Sequence, residues 1–131
     1  MTKVFLSYAR GDEGFVSELR EALAARGADV FDAFKDVRPG ADVYTAILQH
    51  LKQSDLVVFV VPRYEGQGKS ALVEVGAAKA LGKRIVSVLP ERVRVANNDV
   101  ASVLGNSFFL DVAGKNVGFL ADQVLSDLAA A

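Results

Sequence analysis

The heptapeptide DLVVFVV occupies residues 55–61 and contains the longest uninterrupted apolar run of the chain, residues 56–61. Its hydrophobicity does not alternate, so a strand built from it needs apolar partners on both faces. Strands covered on both faces are typical of the centre of a parallel sheet flanked by helices. Pro62 follows and ends the segment. The heptapeptide therefore predicts an α/β fold with this strand in an interior position.

On either side of the heptapeptide, segments that favour strands alternate with amphipathic segments that favour helices. The predicted strands are residues 4–8, 28–31, 55–61, 84–89 and 107–110. The predicted helices are residues 15–26, 41–52, 70–81, 99–104 and 118–130. Repeated βα units with short connections predict one domain, residues 1–131, with a five-stranded parallel sheet and helices on both faces. Ligands of such sheets bind at the carboxyl ends of the strands.

Composition excludes several classes of protein and of site. Hydrophobic residues make up 51% of the 131 residues, which excludes disorder of the whole chain. The chain has no cysteine and a single histidine, His50, which excludes disulfides, thiolate chemistry and a multi-histidine metal site. A net charge of −1 favours no nucleic acid partner, and no segment is long enough to span a membrane. We expect a cytoplasmic protein that needs no metal.

The sequence lacks the motifs of several common protein families with this architecture. A receiver domain needs acidic residues after the first strand, where this chain has SYAR at residues 7–10. The sequence EGQGKS at residues 65–70 ends like a phosphate-binding loop, but its glycine spacing is too short. A GxGxxG dinucleotide fingerprint after the first strand is also absent. These comparisons leave the helix over residues 70–81 as the most informative segment.

Glu74 is the outstanding charged residue of that helix. Ser70 is the expected N-cap, and the residues that share a helical face with Glu74 are small or apolar, with no Lys or Arg among them. One interpretation is a carboxylate favoured by the positive end of the helix dipole. The alternative is a functional carboxylate held beside a pocket of small residues. The residues alone leave both interpretations open.

Four segments together resemble a Toll/interleukin-1 receptor (TIR) domain, and most closely the bacterial type. They are VFLSYARGDEGF at 4–15, ELREALAARGADVFDA at 18–33, RPGADVYTAILQHLKQSDLVVFVV at 38–61 and EVGAAKALGKRIVSVLP at 74–90. The FxSY opening and the Arg-Pro-Gly loop at 38–40 are fairly specific in combination. The resemblance implies a flavodoxin-like three-layer sandwich with strand order 2-1-3-4-5.

Many TIR domains cleave the nicotinamide–ribose bond of NAD, and the resemblance implies that activity here. It places the family's catalytic glutamate at Glu74. NAD would be the substrate, with no further cofactor, and the products would be nicotinamide and ADP-ribose or a cyclic variant. Nicotinamide leaves as a neutral molecule, so one carboxylate that stabilises an oxocarbenium-like transition state is sufficient. The resemblance also implies a role in bacterial immune signalling.

Further site residues come from the same resemblance. Phe5, Ser7 and Arg10 would line the pocket at the end of the first strand, and residues 36–42, with Asp36 and Arg38, would form a mobile loop that closes it. The family often has a tryptophan shortly before the glutamate, but this chain has none. Ser70 stands about where that ring would be. Tyr64 from the preceding loop is expected to line the pocket in place of the tryptophan.

Two alternatives stay open at this point. One is a non-catalytic module that signals through TIR–TIR contacts. The other is an N-glycosidase similar to nucleoside deoxyribosyltransferases, which also place a glutamate on a comparable helix. The resemblance further implies self-association through the loop at residues 32–42, with other TIR domains as further partners, and this loop carries charges of both signs. We therefore expect activity to rise with protein concentration.

Overall fold

The computed structural model describes residues 2–8, 13–32, 36, 42–60, 69–89, 108–111 and 117–129. Its strands are β1 (Lys3–Ser7), β2 (Asp29–Asp32), β3 (Leu56–Val60), β4 (Ile85–Leu89) and β5 (Phe108–Asp111). Its helices are α1 (Glu13–Ala25), α2 (Val43–Gln53), α3 (Lys69–Ala80) and α4 (Val117–Ala129). These elements match the predicted ones to within two or three residues at each end. The helix predicted for residues 99–104 lies outside the described residues.

The strands form one parallel sheet in the order β2-β1-β3-β4-β5, which confirms the predicted topology. Every neighbouring pair is parallel, and β1 lies between β2 and β3. All five residues of β3 are buried, as the lack of alternation in its sequence predicted. The strand that follows β1 in the chain, β2, lies on one side of it, whereas β3, β4 and β5 follow one another on the other side. The direction of strand order therefore reverses between β1 and β3. Ligands of open α/β sheets bind at this kind of switch point.

Each face of the sheet has its own hydrophobic layer, since side chains along a strand point alternately to opposite faces. Alternate residues of β1, β3 and β4 pack with α1 and α4 in the larger layer. Phe5 and Val57 point the other way and pack with Leu51 of α2 and Ala78 of α3. Ser7 and Ser87 follow the same alternation onto the α2/α3 face. Helix α3, which carries Glu74, therefore lies on the face to which Ser7 points.

Capping residues define the start of α2 and the end of α3. Asp42 caps α2, because its side chain accepts a hydrogen bond from the Thr45 amide at 3.2 Å. Gly82 follows α3 with a φ of +72°, a left-handed conformation that favours glycine at helix ends. The prediction that Ser70 is the N-cap of α3 was wrong, because α3 begins at Lys69 and Ser70 lies within its first turn.

No helix in the described ranges has the length and apolarity that a membrane span requires.

Candidate active site

Glu74 and Ser7 meet at the switch point of the sheet. Ser7 ends β1, and its Oγ donates a hydrogen bond of 2.8 Å to Oε1 of Glu74 in the second turn of α3. Ser7 is 1% exposed, whereas Glu74 keeps part of its surface in solvent. Helix periodicity shows the neighbours of Glu74 on α3 only, so it did not reveal Ser7, a hydrogen-bond partner that comes from another element. The contact fixes the carboxylate at the edge where ligands of this architecture bind.

The environment of Glu74 favours its protonated form. Burial, which disfavours the anion, is the main cause that raises the pKa of Glu74 from 4.5 to about 7. The hydrogen bond from Ser7 acts in the opposite direction, and the nearby negative charge of Asp32 raises the pKa further. A half-buried carboxylate with a pKa near neutrality can exchange its proton at physiological pH. This is the behaviour expected of a functional carboxylate rather than of a surface charge.

A second polar cluster lies on the α1 side of the same sheet edge. The Tyr8 hydroxyl contacts both carboxylate oxygens of Asp32, at 2.9 and 2.8 Å, and Asp32 is 1% exposed at the end of β2. Burial and the adjacent Asp32 carboxylate raise the pKa of Tyr8, so the phenol stays a hydrogen-bond donor. Asp32 is thereby held in the interior as a fixed charge that also acts on Glu74. Sequence reasoning missed this arrangement.

Arg20 of α1 connects this cluster to Asp36. Its guanidinium lies 3.8 Å from Asp32 Oδ2 and donates to both Asp36 oxygens at 3.1–3.2 Å. The Asp32 amide also donates to Asp36 Oδ2 at 2.8 Å. Asp36 was predicted to contact substrate from the closing loop. Its carboxylate is held by Arg20 and by the Asp32 amide at the end of β2, and substrate contact by Asp36 stays a prediction.

Phe5 lies beneath the site rather than at its surface. It is fully buried, and its ring packs at a tilt against Phe31, with centroids 5.2 Å apart. Phe31 in turn stacks on His50 of α2, with centroids 3.7 Å apart and an interplanar angle of 8°. The three rings support β1 from below, and substrate contact by Phe5 stays a prediction. Arg10, Arg38 and Tyr64 lie outside the described residues, as does the Ser70 side chain.

A cavity of about 350 Å³ lies away from Glu74, along the outer edge of β2. Residues that line it include Lys3, Arg20, Phe31, Asp36 and His50. Its lining does not include Glu74 or Ser7, so this cavity and the perturbed carboxylate are different places. We take the Glu74 edge as the candidate site because it joins the switch point to a carboxylate with a shifted pKa. Among the described residues, no group of His, Cys, Asp or Glu side chains could hold a metal ion.

Comparison with protein families gives the identity of this fold. A family model described as TIR domain matches residues 4–120. The chain belongs to the TIR family. The prediction from the four sequence segments is confirmed, and the match extends beyond them into α4. In this TIR domain, Ser7 and Tyr8 belong to the opening motif at the end of β1, and Glu74 lies on the helix after β3. A search of curated proteins finds no match to the chain.

Solved structures with the same fold are distant in sequence. The TIR domain of the Toll-related receptor TRR-2 from Hydra magnipapillata is 18% identical, with a TM-score of 0.67 over 96% of this chain and 97% of that one. The RPS4 and RRS1 TIR domain heterodimer gives 19% identity and a TM-score of 0.67 over 99% and 97% of the chains. The CMP N-glycosidase BcmB from Clostridium botulinum gives 16% identity and a TM-score of 0.64 over 93% and 97%. At these identities the likeness shows the fold alone.

Proposed function

We propose that this TIR domain is an NAD glycohydrolase in which Glu74 is the essential carboxylate. The observation that carries the proposal is the Ser7–Glu74 contact at the switch point, with a carboxylate whose pKa lies near neutrality. Membership of the TIR family supports a glycohydrolase role for that carboxylate, as does the N-glycosidase among the structures with this fold. The products are nicotinamide and ADP-ribose or a cyclic variant.

The chemistry requires one anion and no general acid for the leaving group. The bond between ribose C1′ and the pyridinium nitrogen breaks, and its electron pair neutralises the ring as nicotinamide departs. Positive charge then develops on the ribose, where a fixed carboxylate stabilises it. Water attacks C1′ and loses a proton to give ADP-ribose, whereas attack by a nitrogen of the adenine gives a cyclic product. Glu74 acts as its anion, positioned by the Ser7 hydroxyl.

The raised pKa of Glu74 gives this proposal a definite pH dependence. In the free protein the carboxylate ionises with a pKa of about 7, so kcat/KM for NAD should rise with pH through neutrality. The bound pyridinium cation favours the carboxylate anion, so the corresponding rise in kcat should occur at a lower pH. Measuring the pH profiles of both kcat/KM and kcat therefore tests the ionisation of Glu74 and the effect of the positively charged substrate on it.

The direct test is chromatography of NAD incubated with the protein at high concentration. We expect nicotinamide to be released by the parent protein and not by Glu74→Gln, which retains the acceptor for Ser7 but has no charge. Glu18→Gln, at an exposed position on α1, is the matched control and should retain activity. Equal turnover by Glu74→Gln and the parent would refute the assignment.

A nucleotide N-glycosidase is the second candidate, because BcmB, a CMP N-glycosidase, shares this fold. A pyrimidine attached to ribose carries no positive charge, so its departure is assisted by a proton donor. Protonated Glu74 is available below about pH 7 and would serve as that donor. Cleavage of such a nucleotide should therefore fall as the pH rises through neutrality. The direction of the pH dependence separates the two candidates even if both substrates are cleaved slowly.

We also propose that the domain works as a self-associated assembly. One of the similar structures is a heterodimer of TIR domains, which supports contacts between domains of this fold. On α3, Val73 is 63% exposed directly beside Glu74, an apolar side chain that a partner would cover. We expect specific activity to rise from nanomolar to high micromolar protein, and Val73→Asp to weaken that rise. Association without NAD cleavage at any concentration would favour a non-catalytic signalling module.

A further inference from the structure

The carboxyl end of β1 holds two carboxylates through two consecutive hydroxyl groups. Ser7 donates a hydrogen bond of 2.8 Å to Glu74 on the α3 side of the sheet. The next residue, Tyr8, belongs to the layer under α1 and α4, and its hydroxyl lies 2.8–2.9 Å from both oxygens of Asp32. One step along the chain therefore places an acid on each side of β1. The proposed reaction uses Glu74 and assigns no role to Asp32.

Asp32 is a carboxylate fixed inside the protein. Its side chain is 1% exposed, and its partners include the Tyr8 hydroxyl and the Arg20 guanidinium, which lies 3.8 Å away. The same guanidinium lies closer to Asp36, at 3.1–3.2 Å, so one cation is shared between two carboxylates. Burial raises the pKa of Tyr8, so the phenol stays neutral. Together these four described side chains carry one more negative charge than positive charge.

The negative charge of Asp32 extends to the candidate active site. Charges inside a protein interact over longer distances than charges in water, because little solvent screens them. The Asp32 charge accordingly contributes to the raised pKa of Glu74. A charge that disfavours an anion at this place favours a cation there. The base of NAD is a pyridinium cation, whereas the base of its reduced form, NADH, is a neutral dihydropyridine of nearly the same size and shape.

We propose that Asp32 determines the charge selectivity of this site, so that it binds dinucleotides with a cationic base in preference to those with a neutral base. The inference rests on the proposed NAD cleavage, which it extends from reaction to specificity. Asp32 acts through its field and does not need to contact the substrate. Because steric fit separates NAD from NADH poorly, the buried charge is what keeps the reduced form from occupying the site as a competitor.

The test is carried out in the Glu74→Gln protein, where binding is measured without turnover and without the charge of Glu74 itself. Dissociation constants for NAD and NADH are compared with and without Asp32→Asn, and with and without Arg20→Gln. Asp122→Asn is the matched control, because it removes the same charge from an exposed ion pair on α4. All measurements are repeated at about 1 M salt, where the Debye length of about 3 Å suppresses the effects of surface charges.

We expect Asp32→Asn to lower the preference for NAD over NADH about tenfold at both salt concentrations, mainly by weakening NAD binding. Arg20→Gln removes a cation that opposes Asp32 and should raise the preference, whereas Asp122→Asn should leave it unchanged. An unchanged preference in Asp32→Asn, or equal weakening for both dinucleotides, would overturn the inference, because a packing role predicts no discrimination between them. If Asp32→Asn does not fold, Arg20→Gln decides: an unchanged or lower preference overturns the inference.

A parallel assay keeps this result separate from the fate of the proposed function. The parent protein, with Glu74 intact, is incubated with NAD and its products are analysed. NAD that binds with the expected Asp32 dependence but is never cleaved would overturn the glycohydrolase proposal and support the charge selectivity. Cleavage of NAD together with a preference that ignores Asp32 would do the reverse. Absence of both binding and cleavage would overturn both.

Discussion

Glu74→Gln should stabilise this TIR domain at alkaline pH and change its stability little in acid. In the folded protein the pKa of Glu74 is raised from 4.5 to about 7, mainly by burial. The folded state therefore binds a proton more tightly than the unfolded chain does. Its favourable contribution is fully present below about pH 4.5 and is lost as the pH rises to about 7. Above that range the parent carries a partly buried anion, whereas the variant carries a neutral amide at the same position.

The size of this effect follows from the displacement of the pKa. Each pKa unit corresponds to about 1.4 kcal/mol, and the side chain keeps some contact with solvent, so we expect about 2–3 kcal/mol. The unfolding free energy of the variant relative to the parent should grow by this amount between about pH 4.5 and about pH 8. For a domain of this size that corresponds to a relative gain of about 10 °C in melting temperature.

Urea denaturation of both proteins at each pH measures the effect, with Glu18→Gln as the control for loss of one exposed negative charge. Using the difference between two pH values cancels any cost of the amide group itself, which is the same at both. A variant-to-parent difference that is constant with pH would refute the argument that Glu74 is desolvated. A difference that falls with rising pH would show that the carboxylate is stabilised as an anion, by a partner outside the described residues.

Four further substitutions test the surroundings of the site and the helix that carries it. Ser7→Ala removes the hydrogen bond that lowers the pKa of the site carboxylate, so the rise of kcat/KM for NAD should move to higher pH; an unmoved profile contradicts the contact. Tyr8→Phe removes the phenolic hydrogen bond that the two oxygens of buried Asp32 share, and it should cost about 1–3 kcal/mol in urea denaturation. A loss below about 0.5 kcal/mol would count against the network. Gly76→Ala, inside α3 with open space around the added Cβ, should stabilise by about 0.5–1 kcal/mol, whereas Gly82→Ala, at a φ of +72°, should destabilise by about 1 kcal/mol; the same sign for both would be inconsistent with these conformations.

The sheet was predictable because its information is local. The apolar heptapeptide at residues 55–61 fixes an interior strand, and the alternation of strands with amphipathic helices fixes the parallel class. Gly27 and Gly82 follow α1 and α3 with positive φ, at the positions where the sequence predicted that those helices end. The start of α3 was misplaced by one residue because Ser70 is a good capping residue, and capping preference alone does not specify which turn begins a helix.

The candidate site was only half predictable, since its contacts join residues far apart in sequence. Glu74 was found because a carboxylate among small residues is conspicuous on a helical face. Its hydrogen bond to Ser7 spans 67 residues, and only the register of the folded sheet brings the two together. Asp32, Tyr8 and Arg20 looked like ordinary strand-end and helix residues. A signal was present in DVFD at residues 29–32, where an apolar pair leads into an acid at the carboxyl edge of the sheet.

The packing of α4 against α1 has a consequence for how the chain is made. Leu120, Ala121 and Val124 complete the layer on the α1 side of the sheet, and Asp122 pairs with Arg26 across 96 residues. During synthesis, every strand emerges from the ribosome before the helix that closes this layer. Val86 and Val88 of β4 thus remain without this cover until the last helix of the layer has also left the exit tunnel. Until then the nascent sheet presents an apolar surface that chaperones can bind, and the layer reaches its native packing only after α4 has been made.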